Sequence, residues 1–248
     1  MAVKTAVGYD RIARAYQRWQ KSLIRKWSLE FSFFKYLGSV EDKDVLDLAC
    51  GEGNYTRRLK ALGARGVVGV DISGAMIELA LEQERAQPAG IFYRQENAAT
   101  LGRAGDYDVV TAAYLLHYSR TRQELDDMCR TIYANLRSGG RFVSLNLDPL
   151  CPRQSDKRFD CTIEAPARLT EGCVVKVISY LDGRRICAFE NTHWGLQTYE
   201  NALRRAGFPQ IKWHSIEVSP EGIRHFGEAF WRPYLKQAGV LVIECAKP

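Results

Sequence analysis

The chain has 248 residues, room for one domain with elaborations or two at most. Hydrophobic residues make up 46% and charged residues 26%, which excludes a disordered chain, a collagen-like repeat and a coiled-coil rod. The net charge of +6 is scattered rather than gathered into a basic arm, so it gives no argument for nucleic acid. Seven cysteines occur, an odd number with no C-x-x-C pair and no histidine cluster. That argues against disulfides or structural zinc and for reduced thiols in a cytosol. The N-terminus lacks a signal-peptide pattern, and no stretch of about 18 apolar residues occurs. A soluble, cytoplasmic protein without a membrane partner is expected.

In chain order, residues 9 to 36 read as one or two amphipathic helices. Their aromatics, among them Tyr9, Tyr16, Trp19, Trp27, Phe31 and Phe34, recur at spacings of three, four and seven, on one helical face. Phe31, Phe33 and Phe34 are assigned to core, whereas Tyr9 and Tyr16 carry polar handles suited to a lid. Gly38 supplies a stop.

From Asp44 strand and helix alternate. Strands are expected at Val45–Leu48, Gly66–Asp71, Ile91–Tyr93, Tyr107–Ala112 and Arg141–Leu145. Ser73 caps a helix through Met76, and another helix runs from about Arg122 to Leu136. Such alternation means βαβ units and an α/β fold with a doubly wound, mostly parallel sheet. After Pro149 it lapses. Val174–Tyr180 and Arg185–Thr192 form a hairpin across an Asp-Gly turn. A helix at Thr198–Ala206 and strands at Ile211–Val218 and Val240–Ala246 finish the chain. Phe226 and Trp231 are read as loop residues packing core or substrate.

The most informative segment runs from Val45 to Tyr55. A strand feeds a turn carrying Gly51 and Gly53, where the backbone passes close to a ligand, and the turn opens a helix. Asp71 ends the next strand, twenty residues after Gly51, the spacing of an acid that hydrogen-bonds a ribose hydroxyl. The third position of a G-x-G-x-x-G fingerprint is Thr56, and Asp47 precedes the turn. A carboxylate there would repel a pyrophosphate but favour an ammonium and a sulfonium, so S-adenosylmethionine is expected over NAD. Cys50 contributes its backbone rather than its thiol.

The run from Asp47 to Gly53 resembles the D/E-x-G-x-G-x-G signature of class I S-adenosylmethionine-dependent methyltransferases. Ala49 replaces the first glycine, which alanine tolerates if the backbone is not left-handed. Val68–Ser73 resembles the second motif, Asn97-Ala98 falls where many members carry Asp-Ala beside adenine, and Tyr107–His117 and Leu136–Gly140 match the remaining landmarks. Tyr9-Asp10, Ile12-Ala13, Tyr16-Gln17 and Tyr55-Thr56-Arg57 are further similar to toxoflavin-type N-methyltransferases acting on azapteridine rings.

The resemblance implies a seven-stranded Rossmann-like methyltransferase fold with an N-terminal helical lid over 1–40. The methyltransferase domain would span 41–248, its hairpin insertion over 149–195 forming part of the substrate pocket. It implies cofactor contacts from Tyr16, Arg25, Asp47, Ala49, Cys50 and Gly51, and from Gly53, Tyr55, Asp71, Ile72, Met76, Asn97, Ala98 and Ala113. Arg25 would pair with the methionine carboxylate. Proton acceptors would be His117, His193 or Tyr9, and substrate contacts Tyr9, His117, Tyr180, Trp194 and Trp231. The expected reaction methylates a ring nitrogen of a small heteroaromatic metabolite without a metal, in secondary-metabolite biosynthesis, by a monomer or homodimer. The alternatives are an O-methyltransferase on a phenolic product and a non-catalytic Rossmann-like module; a nucleic-acid enzyme would need a catalytic tetrad or basic stripe that the sequence lacks.

Overall fold

A computed structural model describes residues 13, 14, 16, 17, 19, 22–150, 153–181 and 183–248. Among the described residues, 13, 14, 16, 17 and 19 are helical; after Ser22 a helix begins at Leu23–Arg25, opens into a π turn over Lys26–Glu30 and resumes over Phe31–Leu37, these three parts together being α1. The π turn is held by Ser28, whose hydroxyl lies 2.6 Å from the Ile24 carbonyl oxygen and 2.8 Å from Tyr234 Oη. Gly38, at φ 68°, ends the helix.

Five strands follow with helices between them: β1 (Asp44–Leu48), α2 (Asn54–Ala61), β2 (Gly66–Asp71), α3 (Gly74–Ala86), β3 (Phe92–Gln95), β4 (Tyr107–Ala113), α4 (Arg122–Ala134) and β5 (Leu136–Leu147). The inserted segment supplies β6 (Cys161–Glu164), β7 (Val174–Leu181) and β8 (Arg184–Thr192). The chain closes with α5 (Leu196–Ala206), β9 (Ile211–Ser215), α6 (Pro220–Phe226), α7 (Glu228–Lys236) and β10 (Val240–Ala246).

The main sheet has seven strands in the order β3-β2-β1-β4-β5-β10-β9, the first five parallel and β10 antiparallel to both neighbours. Strand order reverses between β1 and β4, and a crevice forms at the carboxyl ends beside such a point. Alternate residues serve opposite faces. Val45, Val67, Val109 and Val143 pack under Phe33, Leu37 and Leu59, whereas Leu46, Val110 and Phe142 pack against Leu125, Ile132 and Leu203. Burial on both faces explains why these strands read as continuous apolar runs. No helix among the described residues is long and apolar enough to cross a membrane.

The structure corrects several element boundaries. β5 begins at Leu136, not Arg141, because Tyr107 pairs with Leu136 before a register shift brings Val109 opposite Arg141. The expected hairpin is a three-stranded antiparallel sheet, in which β6 is too short for its alternation to show. Phe226 and Trp231 lie on helices, not in a loop. Ser219 caps α6 by accepting from Gly222 N, with Pro220 in the first turn, and α7 accommodates Pro233. The segment before α1 is fastened to the inserted sheet: Trp19 Nε1 donates to Asp160 O at 2.9 Å, and Ser22 Oγ donates to Asp160 Oδ2.

Candidate active site

The turn after β1 is left-handed at three residues, Ala49 (φ 55°), Gly51 (φ 56°) and Gly53 (φ 84°). The condition under which alanine would replace the first glycine without strain is therefore not met, and Ala49 carries a backbone that costs an L-residue about 1 kcal/mol. A Cβ on Gly51 would meet nothing within 4 Å, so the turn opens onto a cavity there. Gly53 differs from expectation: a Cβ on it would overlap the Tyr93 hydroxyl, so its close approach is to protein rather than ligand. Asp71 braces the turn, Oδ2 accepting from Gly51 N and Oδ1 from Ser73 N, each at 2.8 Å. Ser73 caps α3 by accepting from Met76 N. Cys50 N donates to Val70 O at 3.0 Å, and burial pushes its thiol well above the usual range.

Two chambers flank this turn. One, beyond β2, is lined by Asp71, Ile72, Met76, Asn97, Ala98 and Ala113, with Glu96, Tyr114, Glu124 and Met128 added. The other continues around Gly51 to Asp47, Glu52, Asn54 and Tyr55. Tyr16, Ala49, Gly51 and Ala113 line both, so they form one curved crevice. Among the described residues lining it no lysine or arginine occurs, whereas five carboxylates do. A pyrophosphate does not fit such a lining. A nucleoside bearing ammonium and sulfonium charges does, which answers the choice between NAD and S-adenosylmethionine on the structure's own terms.

Asp47 is 1% exposed at the floor of the crevice. Its register opposite Thr111 on β4 lets the Thr111 hydroxyl reach Oδ1 at 2.8 Å, while Thr56 on α2 donates to Oδ2 at 2.6 Å. Neither partner is charged, and burial pushes the carboxyl up to about 6 despite both hydrogen bonds. Asn97 Oδ1 accepts from Ala99 N at 2.9 Å, shaping the loop beside the first chamber.

A third chamber sits between the sheet, α1 and the inserted strands. Its walls are aromatic and aliphatic, with Trp19, Tyr114, Phe159, Phe189 and Tyr234 prominent. Three polar side chains break this surface: Arg25, His117 and Asn191. Arg25 is 5% exposed, its guanidinium 4.1 Å from the Trp19 ring centroid and 5.4 Å from that of Tyr114. It thus lines this third chamber and not the part of the crevice around Asp47, where the methionine end was expected. Tyr16, Tyr114 and Tyr118 line both the third chamber and the crevice, forming the partition between them. Tyr114 holds φ at 71°, an unusual conformation for a bulky residue, at the carboxyl end of β4.

His117 lies on a short 3-10 turn after β4 and is buried, with Asn146 Oδ1 3.0 Å from Nδ1. Burial holds its imidazole down at about 4, so it is neutral near pH 7. The other sequence candidates lie elsewhere. His193 extends the inserted sheet, its N–H donating to Cys173 O and its carbonyl accepting from Gly172 N, and its side chain lines none of these chambers. Trp194 is core, with Nε1 donating to Ser119 O at 3.1 Å and Oγ at 2.9 Å. Trp231 is core as well, its Nε1 donating to Gly222 O at 2.8 Å. The Tyr180 hydroxyl is spent on Thr162 at 3.4 Å, outside the chamber. Tyr9 lies outside the described residues. Trp19, Tyr114, Glu124, Met128 and Asn191 were missed. Tyr114 directly follows a strand's carboxyl end, which is a usable signal; the others arrive by packing alone. Among the described residues no group of three metal-ligating side chains occurs.

Comparison with known proteins agrees with this geometry. Residues 45–140 match the methyltransferase domain family. A structure from Listeria monocytogenes, assigned to the S-adenosylmethionine-dependent methyltransferases, superposes with a TM-score of 0.64 at 26% identity, covering 88% of this chain and 96% of that one. N-demethylindolmycin N-methyltransferase of Streptomyces griseus is 25% identical over 180 residues, 71% of this chain and 73% of its own. Demethylmenaquinone methyltransferase of Lactococcus lactis is 34% identical over 117 residues, 45% of this chain and 44% of its own, so that match spans less than half of either protein.

Proposed function

We propose that the chain is a class I S-adenosylmethionine-dependent methyltransferase, a reading supported by the matched methyltransferase domain and the Listeria structure, and that it methylates a ring nitrogen of a small planar heteroaromatic metabolite. The observation that carries this reading is the aromatic chamber, which shares a wall of three tyrosines with the acidic crevice. In this reading Asp71 receives the ribose hydroxyls, Ile72, Met76 and Asn97-Ala98 surround adenine, and Asp47 faces the methionine ammonium. When bound, S-adenosylmethionine supplies an electrophilic methyl on a sulfonium. The protein's own contribution is to stack the acceptor between aromatic walls, to align it past Tyr16 and to keep water out. His117 takes a proton from an acceptor that carries one. The N-methyltransferase activity named for the Streptomyces relative supports the choice of nitrogen.

A second reading follows from the same histidine, since a neutral imidazole serves a phenol oxygen as well as a ring nitrogen. Incubation with methyl-labelled S-adenosylmethionine and a panel of heterocycles and phenols, with the labelled atom located by mass spectrometry, separates the two. Label on oxygen alone would sink the N-methylation reading, and no transfer to any ring compound would sink both.

A further inference from the structure

Strand β8 places one amide where its neighbours are apolar. Side chains alternate along a strand, so Phe189 and Asn191 share a face of β8. The register sets Phe189 opposite Val177 and Asn191 opposite Val175, and carries Val177 on to Ile163 in β6. Ile163, Val177, Phe189 and Asn191 line the third chamber, and Val175 is fully buried in the core beside them. On the other face the same two strands set Lys176 opposite Glu190, where polar side chains are expected. Asn191 is 4% exposed, and its Oδ1 accepts no hydrogen bond from any described residue. A carboxamide oxygen buried without a donor forfeits its hydration and gains nothing in return. Packing does not call for it, because a leucine of similar shape would suit this row better. The chamber's histidine does not supply the donor, since its Nδ1 faces Asn146.

We infer that Asn191 sets acceptor specificity: its Oδ1 takes a hydrogen bond from a ring N–H, so the acceptor is a lactam-type heterocycle held in the third chamber. This rests on the methyltransferase reading above and narrows it to a substrate class. A carboxamide turns readily about χ2, so it meets the edge of a planar ring that enters the chamber. A ring with no N–H leaves the oxygen unpaired and is rejected, as sites built around a donor reject analogues that lack one. Asn191 lines the third chamber and not the crevice, so the atom it holds is not the atom that receives the methyl. Tethering the N–H end turns another atom of the ring toward the partition of Tyr16, Tyr114 and Tyr118. One amide thereby selects the ring and orients it.

Calorimetry on the full chain tests this with 2-quinolone and coumarin, which share a bicyclic outline and a ring carbonyl and differ by an N–H against an oxygen. Wild type is expected to bind 2-quinolone about tenfold or more tightly than coumarin. Asn191→Leu is expected to bring the two probes within about twofold of each other. Asn191→Asp keeps an acceptor oxygen and is expected to retain a preference of about threefold or more. A merely structural role would weaken both probes alike and leave their ratio unchanged. Each variant is expected to hold S-adenosylmethionine within about threefold of wild type and to melt as a folded protein. Equal binding of the two probes by wild type, no binding of 2-quinolone, or an unchanged ratio in Asn191→Leu would overturn the inference. If a variant does not fold, the wild-type ratio still decides. Failure of S-adenosylmethionine to bind the wild type would instead remove the methyltransferase reading, so the two failures are separable.

Discussion

Asn146 Oδ1 lies 3.0 Å from His117 Nδ1, and the Asn146 amide nitrogen is fixed by donating to Leu147 O at 2.8 Å. The amide therefore turns its oxygen to the ring, and Nδ1 must carry the proton. The Leu147 N–H, 3.4 Å from the same nitrogen, is the weaker contact. Nε2 is left with a bare lone pair, on a residue lining the third chamber.

Asn146→Asp should replace a neutral acceptor with a charged one and raise the imidazole from about 4 by at least one pH unit. Nitrogen-15 NMR of the histidines across pH reads this directly. An unmoved titration, or the opposite tautomer in wild type, would show that Asn146 does not orient the ring.

Two buried groups bias stability in opposite directions with pH. Burial raises Asp47 from 3.8 to about 6, so its penalty is absent below 3.8 and complete above 6. Burial lowers His117 from 6.5 to about 4, so its penalty is absent above 6.5 and complete below 4. Each amounts to about 3 kcal/mol at 1.36 kcal/mol per pH unit. Relative to wild type, Asp47→Asn should lose stability between pH 6.5 and 4, and His117→Gln should gain it. Denaturant melts at four pH values decide this; parallel pH curves for all three proteins would refute it.

Cofactor affinity should depend on Asp47 ionisation. A bound ammonium favours the carboxylate, so S-adenosylmethionine binding should tighten about tenfold from pH 5 to 7, with proton release on binding near pH 6. Asp47→Asn should bind more weakly and lose the slope. Calorimetry in buffers of different ionisation enthalpy counts the protons.

Asp71 has a structural duty besides its proposed one, since both carboxylate oxygens accept backbone N–H groups. Asp71→Ala should weaken cofactor binding at least a hundredfold and also cost about 1–3 kcal/mol, as two donors lose an acceptor. Asp71→Asn keeps one acceptor oxygen and should retain more of the stability than of the affinity. Affinity within threefold of wild type in Asp71→Ala would count against the ribose role.

Ala49→Gly should relieve the left-handed backbone at φ 55° and raise stability by about 1 kcal/mol, or 2–4 °C in Tm for a chain of this size. Scanning calorimetry measures it. A lowered Tm would mean that the alanine methyl packs more than its backbone strains.

How much was legible depended on how local the determinants were. The parallel sheet, the hairpin around Gly183 and the pairing of Gly51 with Asp71 follow from apolar runs, turn residues and a fixed spacing, all written within a few dozen residues. Asp47 could be placed at the crevice because it adjoins the turn in sequence. Helices α6 and α7 were not seen, since Pro233 and the short lengths obscure their period.

The sequence alone determined the alternation of strands and helices from β1 to β5, the glycine turn and the acid that closes it, because each needs only neighbouring residues and backbone chemistry. It took tertiary structure to send Arg25 to the third chamber, Trp194 and Trp231 to the core, and His193 to the edge of the inserted sheet. Those outcomes depend on the π turn in α1, on where α4 and α5 dock, and on which face of each element meets another. Such choices are made by packing between segments more than a hundred residues apart, as Trp19 with Asp160 and Ser28 with Tyr234 show, and no local pattern records them.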